Sequence, residues 1–326
     1  MDILLNVLRD TKINEEITIS GSKSESNRLL ILQNLFPEIS IENLSDSDDS
    51  IHMQHALSTK DEVVDIGHAG TAMRFLTSYF AVNSGREVVL TGSERMQNRP
   101  IEILVNALKD LGADISYEAK VGYPPIRIKG NNSIKEKVQI NGNVSSQYIS
   151  SLLLIASKLE NGLEIELVGK ITSIPYINMT LSLLNQLAIE TRFEGNIIKV
   201  FPKEAIQKQT VVVESDWSSA SYFYSIIASA AIDSSIKLSA YKEESLQGDS
   251  CLAEIYAHFG VTTIFGKDCI TLKKEGKTNA ETLAINLKNA PDIAQTIAVT
   301  CFSEGISCNL TGLHTLKIKE TDRLEA

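Results

Sequence analysis

The feature that most constrains the fold is a pattern of polar helix starts that recurs along the chain at nearly equal intervals. Each start consists of small or polar residues followed by an apolar run with helical spacing. The starts at Ala69, Val144, Trp217 and Pro291 are 75, 73 and 74 residues apart. Solenoid repeats take about 20 to 50 residues, so a repeat of this length is a small subdomain.

A second helix and several short strands follow each start at matching offsets. Second helices are predicted within residues 99–115, 173–190 and 247–263. Strand-like runs such as REVVLTG and GLEIELVG lie between the helices, and two more strands follow the second helix. One repeat is therefore β-α-β-α-β-β over about 74 residues, and the predicted fold class is α/β with α+β character.

The first and the last repeats differ from the others. The first is more compact and begins near residue 17, with strand EITIS, a helix at 22–35, strand ISIENL, a helix near 47–57 and then EVVDIG. The fifth begins near residue 283 and reaches IKETDRLEA, where its second helix is expected to start. We therefore expect that part of the protein is absent from this chain.

Composition excludes several classes of function. The net charge of −10 argues against nucleic acid or an anionic membrane as the main partner. No apolar run approaches the roughly 18 residues of a transmembrane helix, and MDILLNVLRDTK does not resemble a secretory signal. The four cysteines form no CxxC pair and the histidines have no metal-site spacing, so a cytoplasmic protein with reduced thiols and no metal is predicted.

Cationic and donor-rich residues concentrate at the predicted helix starts. They are Lys23, Ser24, Arg28, Gly70, Thr71, Arg74, Arg99, Ser145, Ser146, Gln147, Ser173, Lys319 and Arg323. A helix start carries free N–H groups and about half a positive charge, and Arg forks suit phosphate and carboxylate. If several starts meet in one cleft, an acidic protein can still bind a multiply charged anion.

Some of these residues have a simpler interpretation. Ser145, Ser146 and Ser173 are each explained as helix caps, and Arg99 as a loop residue. The stretch GSKSESNR (21–28) is not, because one cap does not require a Lys, an Arg and three serines together. This stretch is the main candidate for an anion site.

Two acidic residues are candidates for proton transfer. Asp292 also fits a helix cap, and Glu320 also fits an ion pair with Lys319 or Arg323. They become acid/base candidates if they share a cleft with Lys23.

With these motifs in place, the chain resembles the 5-enolpyruvylshikimate-3-phosphate (EPSP) synthase, or 3-phosphoshikimate 1-carboxyvinyltransferase, family. The matching motifs occur in family order from residue 20 onward. They are GSKSESNR, AGTAMR, LTGSERMQNRPI, NVSSQYISSLL, PYINMT, ESDWSSASYF, PDIAQT and IKETDR. Each motif alone is weak, but eight in order are specific.

The resemblance implies a two-domain inside-out α/β barrel with three βαβαββ units in each domain. The first domain, about 20–213, would carry most of the shikimate 3-phosphate site. The second, residues 1–19 and 214–326, would carry the acid/base residues and lack the last unit and a half. The missing part would include a His-Arg motif and a late lysine on the phosphoenolpyruvate side.

The implied activity is transfer of the enolpyruvyl group of phosphoenolpyruvate to the 5-hydroxyl of shikimate 3-phosphate, with release of phosphate. This is a shikimate-pathway step in aromatic amino acid biosynthesis. The family needs no cofactor, and a cytoplasmic monomer is expected. Glyphosate is expected to compete with phosphoenolpyruvate in the complete enzyme, since Gly70 is present. Whether this shortened chain is itself active stays open.

The resemblance also assigns roles to single residues. Shikimate 3-phosphate would be bound by Lys23, Ser24, Arg28, Ser145, Ser146, Gln147, Ser173, Tyr176, Asp292 and Lys319. Phosphoenolpyruvate would be bound by Lys23, Gly70, Arg99, Gln147 and Arg323. Asp292 would accept the proton of the 5-hydroxyl, Glu320 would serve proton transfer at the methylene carbon, and Lys23 would touch both ligands.

Three positions depart from the family pattern. His68 stands where the family often has Asn, Phe75 where it often has Pro, and Thr315 where it usually has Asn. His68 puts the neighbouring phosphoenolpyruvate contact in doubt, whereas Phe75 is expected to affect only helix packing.

Two other functions stay open at this point. UDP-N-acetylglucosamine enolpyruvyl transferases share the repeat, but they carry Lys-Asn near the start and a Cys in a mobile loop. Here Ser24 follows Lys23, and LTGSERMQNRP contains no Cys. A non-catalytic sugar-phosphate binder is the other alternative, and the presence of Asp292, Glu320 and Lys23 argues against it.

Overall fold

The computed structural model describes residues 12–131, 134–171, 174–278, 281–314, 316 and 323–325. The chain divides into two compact units. The contiguous unit is Gly21–Val213, and the split unit consists of the residues before Gly21 and those after Val213. Four residues named above lie outside the described part of the chain, namely Ser173, Thr315, Lys319 and Glu320.

Helices and strands alternate through both units. The helices are α1 (Lys23–Leu35), α2 (Asp48–Ser58), α3 (Gly70–Ala81), α4 (Glu94–Gln97), α5 (Glu102–Leu111), α6 (Ser146–Ala156), α7 (Ile174–Gln186), α8 (Trp217–Ala228), α9 (Leu252–Ala257) and α10 (Ala294–Ser303). Short 3₁₀ turns precede α9 and α10. Among the described residues, none of the helices has both the length and the apolar run that a bilayer crossing needs.

The strands are short. They are β1 (Asn14–Ile17), β2 (Ile39–Glu42), β3 (Val63–Asp65), β4 (Glu87–Thr91), β5 (Asp114–Tyr117), β6 (Ile126–Lys129), β7 (Lys137–Asn141), β8 (Leu163–Val168), β9 (Thr191–Glu194), β10 (Ile197–Val200), β11 (Gln209–Val212), β12 (Ser235–Ser239), β13 (Val261–Gly266), β14 (Cys269–Lys274), β15 (Thr282–Asn286) and β16 (Ser307–Thr311).

The contiguous unit contains two four-stranded sheets of the same topology, with orders β3-β4-β6-β5 and β7-β8-β10-β9. In each sheet the first two strands are parallel and the last two form an antiparallel hairpin. A parallel pair needs a helical crossover, which α3 and α6 supply. The α/β class and the order of the predicted repeat are therefore confirmed, and the inside-out barrel stays a prediction.

Helices form the centre of the contiguous unit. α1, α3 and α6 contact one another, and every residue of α3 is buried. A helix buried on all sides needs apolar or internally bonded side chains all round, and the run from Met73 to Ala81 meets that requirement. The three helices therefore pack against one another inside the unit.

The split unit has its own sheets and its own aromatic core. Its sheets are β1-β12-β14-β13 and the parallel pair β15-β16. The core is built around Trp217, whose ring centroid lies 5.0 Å from that of Tyr241. Tyr224, Tyr256 and Phe259 continue this cluster and are fully buried.

The predicted first repeat is wrong in its strands. The strand expected at EITIS forms at Asn14–Ile17 and pairs with β12 of the split unit. Its place beside β2 is taken by β11, and the strand in EVVDIG pairs with β4 and so opens the second repeat.

Gly21 lies at the boundary between the two units, after β1 and before α1. A Cβ built on Gly21 would lie 1.9 Å from the carbonyl oxygen of Asn43 and 2.7 Å from a methyl group of Val213. Only glycine fits between these two neighbours, so Gly21 lets the chain pass close to Asn43 and Val213 just before α1. The periodicity of EITIS predicts a strand but not its partner.

Candidate active site

The stretch GSKSESNR forms the first turns of α1. Lys23 is the first helical residue, and its side chain is 42% exposed. Its Nζ lies 3.9 Å from Oδ1 of Asp49, which is in the first turn of α2. The start of α1 thus presents a cation at a helix N-terminus, as predicted.

Arg28 is buried within the unit and bonds to the protein itself. Its Nε donates to Thr180 Oγ1 at 2.8 Å, and Nη1 donates to the Ser24 carbonyl at 2.7 Å. Nη2 donates to Ser150 Oγ at 3.1 Å and to the Tyr176 carbonyl at 3.4 Å. Arg28 therefore joins two other predicted residues, Ser24 and Tyr176, across α1 and α7.

Burial also changes the ionisation of this guanidinium. Desolvation lowers the pKa of Arg28 to about 10, against the opposing influence of Tyr176 and Glu25. At neutral pH the group is still a cation. Its charge therefore contributes to the positive potential behind the start of α1.

The start of α3 brings together Gly70 and Arg99. A Cβ on Gly70 would lie 2.5 Å from Nη1 and 2.8 Å from Nη2 of Arg99. The absence of a side chain at Gly70 therefore lets the guanidinium of Arg99 lie against the first turn of α3. The positive end of α3 and an Arg fork at one place form a binding arrangement for a carboxylate or phosphate.

A buried arginine holds the turn that carries Arg99. Arg74 Nη1 donates to the Gly70 carbonyl at 3.1 Å, and its Nη2 donates to the Pro100 carbonyl at 3.2 Å. The hydroxyl of Tyr148 donates to the same Pro100 carbonyl at 2.8 Å. Burial, and secondarily the charge of Arg99, lowers the pKa of Arg74. Arg74 therefore links the start of α3 to the Arg99 turn.

The start of α6 is connected to the start of α3. Ser145 caps α6 by accepting from the Gln147 N–H at 3.3 Å. The Gln147 side chain donates from Nε2 to Thr71 Oγ1 at 3.2 Å. Ser146 is buried in the first turn. The contiguous unit thus brings together the predicted residues of α1, α3 and α6.

In the split unit, two predicted residues form an ion pair. Arg323 Nη1 donates to Asp292 Oδ1 at 3.1 Å, and both side chains are about a quarter exposed. Asp292 lies in the 3₁₀ turn that leads into α10. The predicted roles of Ser173, Lys319 and Glu320 cannot be placed, because these residues lie outside the described part.

Sequence reasoning missed the residues that position the site. Asp49 contacts both Lys23 and Thr71, Tyr148 supports the Arg99 turn, and Ser150 and Thr180 bind Arg28. In the sequence Asp49 is one of several acids at a helix start, where capping is the expected role. No local signal distinguishes it.

Two of the departing positions have defined surroundings. His68 is exposed, and its Nε2 lies 3.7 Å from Asp48 Oδ2. Phe75 is buried beneath Arg28, with the guanidinium carbon 5.3 Å from the ring centroid. Phe75 therefore supports the charge of Arg28 as well as helix packing.

Relatives with known names match nearly the whole chain. A family model described as EPSP synthase (3-phosphoshikimate 1-carboxyvinyltransferase) matches residues 55–326. A 3-phosphoshikimate 1-carboxyvinyltransferase from Bacteroides fragilis is 45% identical over 317 residues, covering 97% of this chain and 77% of the relative. The enzyme of that name from Haemophilus ducreyi is 36% identical over 349 residues and covers 97% and 78%.

A solved structure supports the same fold. An EPSP synthase from Acinetobacter baumannii superposes with a TM-score of 0.77 at 20% identity, covering 96% of this chain and 77% of that one. Agreement in fold, in the extent of the family match and in sequence identity to two curated relatives leads to one conclusion. The chain belongs to the EPSP synthase family of transferases.

Proposed function

We propose that this chain has the activity of a 3-phosphoshikimate 1-carboxyvinyltransferase. It would transfer the enolpyruvyl group of phosphoenolpyruvate to the 5-hydroxyl of shikimate 3-phosphate in aromatic amino acid biosynthesis. The observation that carries the proposal is the linked set of helix starts in the contiguous unit. Lys23, Arg99 and Gln147 lie at or beside these starts, which favours binding of phosphorylated carboxylic acids.

The proposed shikimate 3-phosphate site uses the α1 and α6 starts. It comprises Lys23, Ser24, Arg28, Ser145, Ser146, Gln147, Ser173, Tyr176, Asp292 and Lys319. Lys23 is half-exposed and available to a ligand, whereas Arg28 is buried. Lys23 would therefore make the direct contact with the ester phosphate, and Arg28 would add charge and fix the backbone of Ser24 and Tyr176.

The proposed phosphoenolpyruvate site uses the α3 start. It comprises Lys23, Gly70, Arg99, Gln147 and Arg323. The close approach of Arg99 to Gly70 supports this assignment, because the backbone and the guanidinium then face the same anion. Glyphosate, which also carries a carboxylate and a phosphonate, would compete there with phosphoenolpyruvate.

The chemistry requires an acid and a base. Protonation of the methylene carbon by Glu320 would leave a cationic carbon, to which the 5-oxygen adds while Asp292 takes its proton. Loss of a proton from the new methyl group then expels inorganic phosphate and restores the double bond. The ion pair with Arg323 supports the role of Asp292, since it orients one carboxylate oxygen. We also propose that the protein is a cytoplasmic monomer and works without a cofactor.

Calorimetric titration with shikimate 3-phosphate tests this function. Binding is expected with the shikimate ester and not with UDP-N-acetylglucosamine. Lys23→Ala should weaken binding about tenfold to a hundredfold, the value of one or two charge-assisted hydrogen bonds. The exposed Lys60→Ala is the matched control and should bind like the unaltered chain. Binding heat with the UDP sugar, or no binding heat with either ligand, would contradict the proposal.

A further inference from the structure

We propose that Asp49 is a positioning residue of the anion site. Asp49 holds the ammonium group of Lys23 and caps α3 from a neighbouring helix. This proposal rests on the proposed function for the identity of the anions but not for the contacts themselves. The relevant atoms all lie in the contiguous unit.

The contacts of Asp49 connect two helix starts. Its Oδ2 accepts from the Thr71 N–H at 3.3 Å, while Oδ1 lies 3.9 Å from Lys23 Nζ. The Asp49 side chain is only 16% exposed, whereas that of Asp48 in the same turn is 75% exposed. The two carboxylates therefore have different surroundings although they are adjacent in sequence.

The contact of Asp49 with Thr71 is explained by the need for a cap on α3. The first N–H groups of a helix have no intrahelical acceptor. Ala69 occupies the cap position of α3, and alanine has no side-chain acceptor to offer. Asp49 supplies that acceptor from α2, and its charge suits the positive end of the helix.

The cap on α3 alone does not explain why the residue at position 49 is charged. A carboxylate close to bound phosphates repels them, so it opposes the binding of the proposed substrates. A neutral Ser or Thr at position 69 would cap α3 without that repulsion. The contact with Lys23 supplies a reason for the charge, because Asp49 restrains a flexible ammonium group that both substrates are proposed to contact.

A double-mutant cycle measures this coupling. The variants Lys23→Ala, Asp49→Asn and their combination are titrated with inorganic phosphate by calorimetry. Asn keeps a carbonyl acceptor for Thr71, removes the charge and places an amide NH2 where an oxygen faced Lys23. Lys23→Ala should weaken phosphate binding about tenfold in the unaltered chain and less than threefold in the Asp49→Asn background. Equal effects in both backgrounds would overturn the proposal.

A matched control and a ligand-free readout complete the test. Asp48→Asn changes the net charge equally and should leave the effect of Lys23→Ala unchanged. In ¹³C-methylated protein, the Lys23 resonance, assigned with Lys23→Arg, should shift in Asp49→Asn but not in Asp48→Asn. An unshifted resonance in Asp49→Asn overturns the proposal. If phosphate and shikimate 3-phosphate both fail to bind, the proposed function fails while the resonance still decides the role of Asp49.

Discussion

Gly70 and Gly21 show how a missing side chain can determine the position of other groups. Gly70 leaves room for the Arg99 guanidinium, which lies against the first turn of α3. Gly21 leaves room for a backbone carbonyl, that of Asn43. A flexible side chain can move away from a new methyl group, but a backbone atom cannot do so cheaply. The two glycines therefore lead to opposite expectations for binding and stability.

For Gly70→Ala we expect impaired phosphoenolpyruvate binding in a folded protein. The added Cβ would lie 2.5 Å from Arg99 Nη1 and would displace the guanidinium. The loss of one charge-assisted contact should weaken affinity about tenfold or more. Titration with phosphoenolpyruvate in the presence of shikimate 3-phosphate measures this effect. Unchanged affinity would show that Arg99 does not bind this substrate.

For Gly21→Ala we expect a loss of stability. The Cβ would lie 1.9 Å from the Asn43 carbonyl oxygen, so the backbone must shift at a cost of about 1–3 kcal/mol or more. Urea unfolding gives the free energy. Gly276→Ala is the control, because a Cβ there has no neighbour within 4 Å, and it should stay within about 0.5 kcal/mol. Equal stability of the two variants would refute the steric argument.

The chemistry of single residues could be predicted in part. The composition of GSKSESNR identifies an anion site, because several cations and hydroxyls at one helix start exceed the needs of a cap. The sequence does not show that Arg28 is directed inward to Thr180 and Ser150 while Lys23 stays accessible. That difference arises from the packing of α1 against α6 and α7, which local patterns do not encode.

At the scale of elements, the buried helices pack through hydroxyl groups as well as apolar side chains. Ser78 of α3 and Ser151 of α6 are hydrogen-bonded to each other. In the split unit, Ser221 of α8 donates to Thr296 of α10 at 3.0 Å. Such pairs satisfy polar groups inside the core and fix which helix faces meet. The core of the split unit also contains several buried tyrosine side chains.

These phenols predict a loss of stability in alkali. Burial raises the pKa of Tyr256, Tyr224 and Tyr241 above the ordinary value of 10.0. Above pH 10 the unfolded chain loses phenolic protons that the folded chain keeps, so the free energy of unfolding falls as the pH rises. Each phenol contributes up to about 1.4 kcal/mol per pH unit.

Tyr256→Phe tests this effect. The variant loses the 2.8 Å hydrogen bond to Thr300 and should be about 1 kcal/mol less stable at pH 7. Above pH 10 its free energy of unfolding should fall less steeply than that of the unaltered chain. Urea unfolding between pH 7 and pH 11 measures both, with the exposed Tyr222→Phe as control. If the free energy of unfolding falls equally steeply with pH in Tyr256→Phe and in the unaltered chain, the Tyr256 phenol does not cause the loss of stability.

The elements themselves were well predicted, but their pairing was not. Helices α3, α6 and α8 form where apolar residues recur at helical spacing. The partner of β1 lies 221 residues further along the chain. Alternation of apolar and polar residues identifies a strand but does not identify the strand that pairs with it. Periodicity alone therefore does not predict the exchange of β1 and β11 between repeats, whereas the family resemblance already implies that residues 1–19 belong to the second domain.

At the scale of the whole molecule, apolar surface is distributed unevenly. Val299 and Phe302 of α10 are 62% and 88% exposed, and Tyr222 and Ile226 of the neighbouring α8 are also exposed. We call these four residues the apolar strip. Single exposed apolar residues are ordinary, but four on two packed helices form a surface that attracts other apolar groups.

The apolar strip should bind a hydrophobic fluorescent dye. The double variant Val299→Ser with Phe302→Ser should reduce dye binding severalfold, while the free energy of unfolding changes by about 0.5 kcal/mol or less. Ile297→Ser on the same helix is the contrasting control, since Ile297 is fully buried and should cost about 3 kcal/mol or more. Undiminished dye fluorescence in the double variant would place the apolar surface elsewhere.

The pairing of β1 with β12 also has a consequence for biosynthesis. The contiguous unit comprises Gly21–Val213, so all of its chain is available once β11 has left the ribosome. β1 is made before the contiguous unit, yet its parallel partner begins at Ser235 and is synthesised only after that unit. At about 5–20 residues per second, β1 waits roughly ten to forty seconds without a partner. A strand made before the contiguous unit therefore joins the unit whose synthesis is completed later.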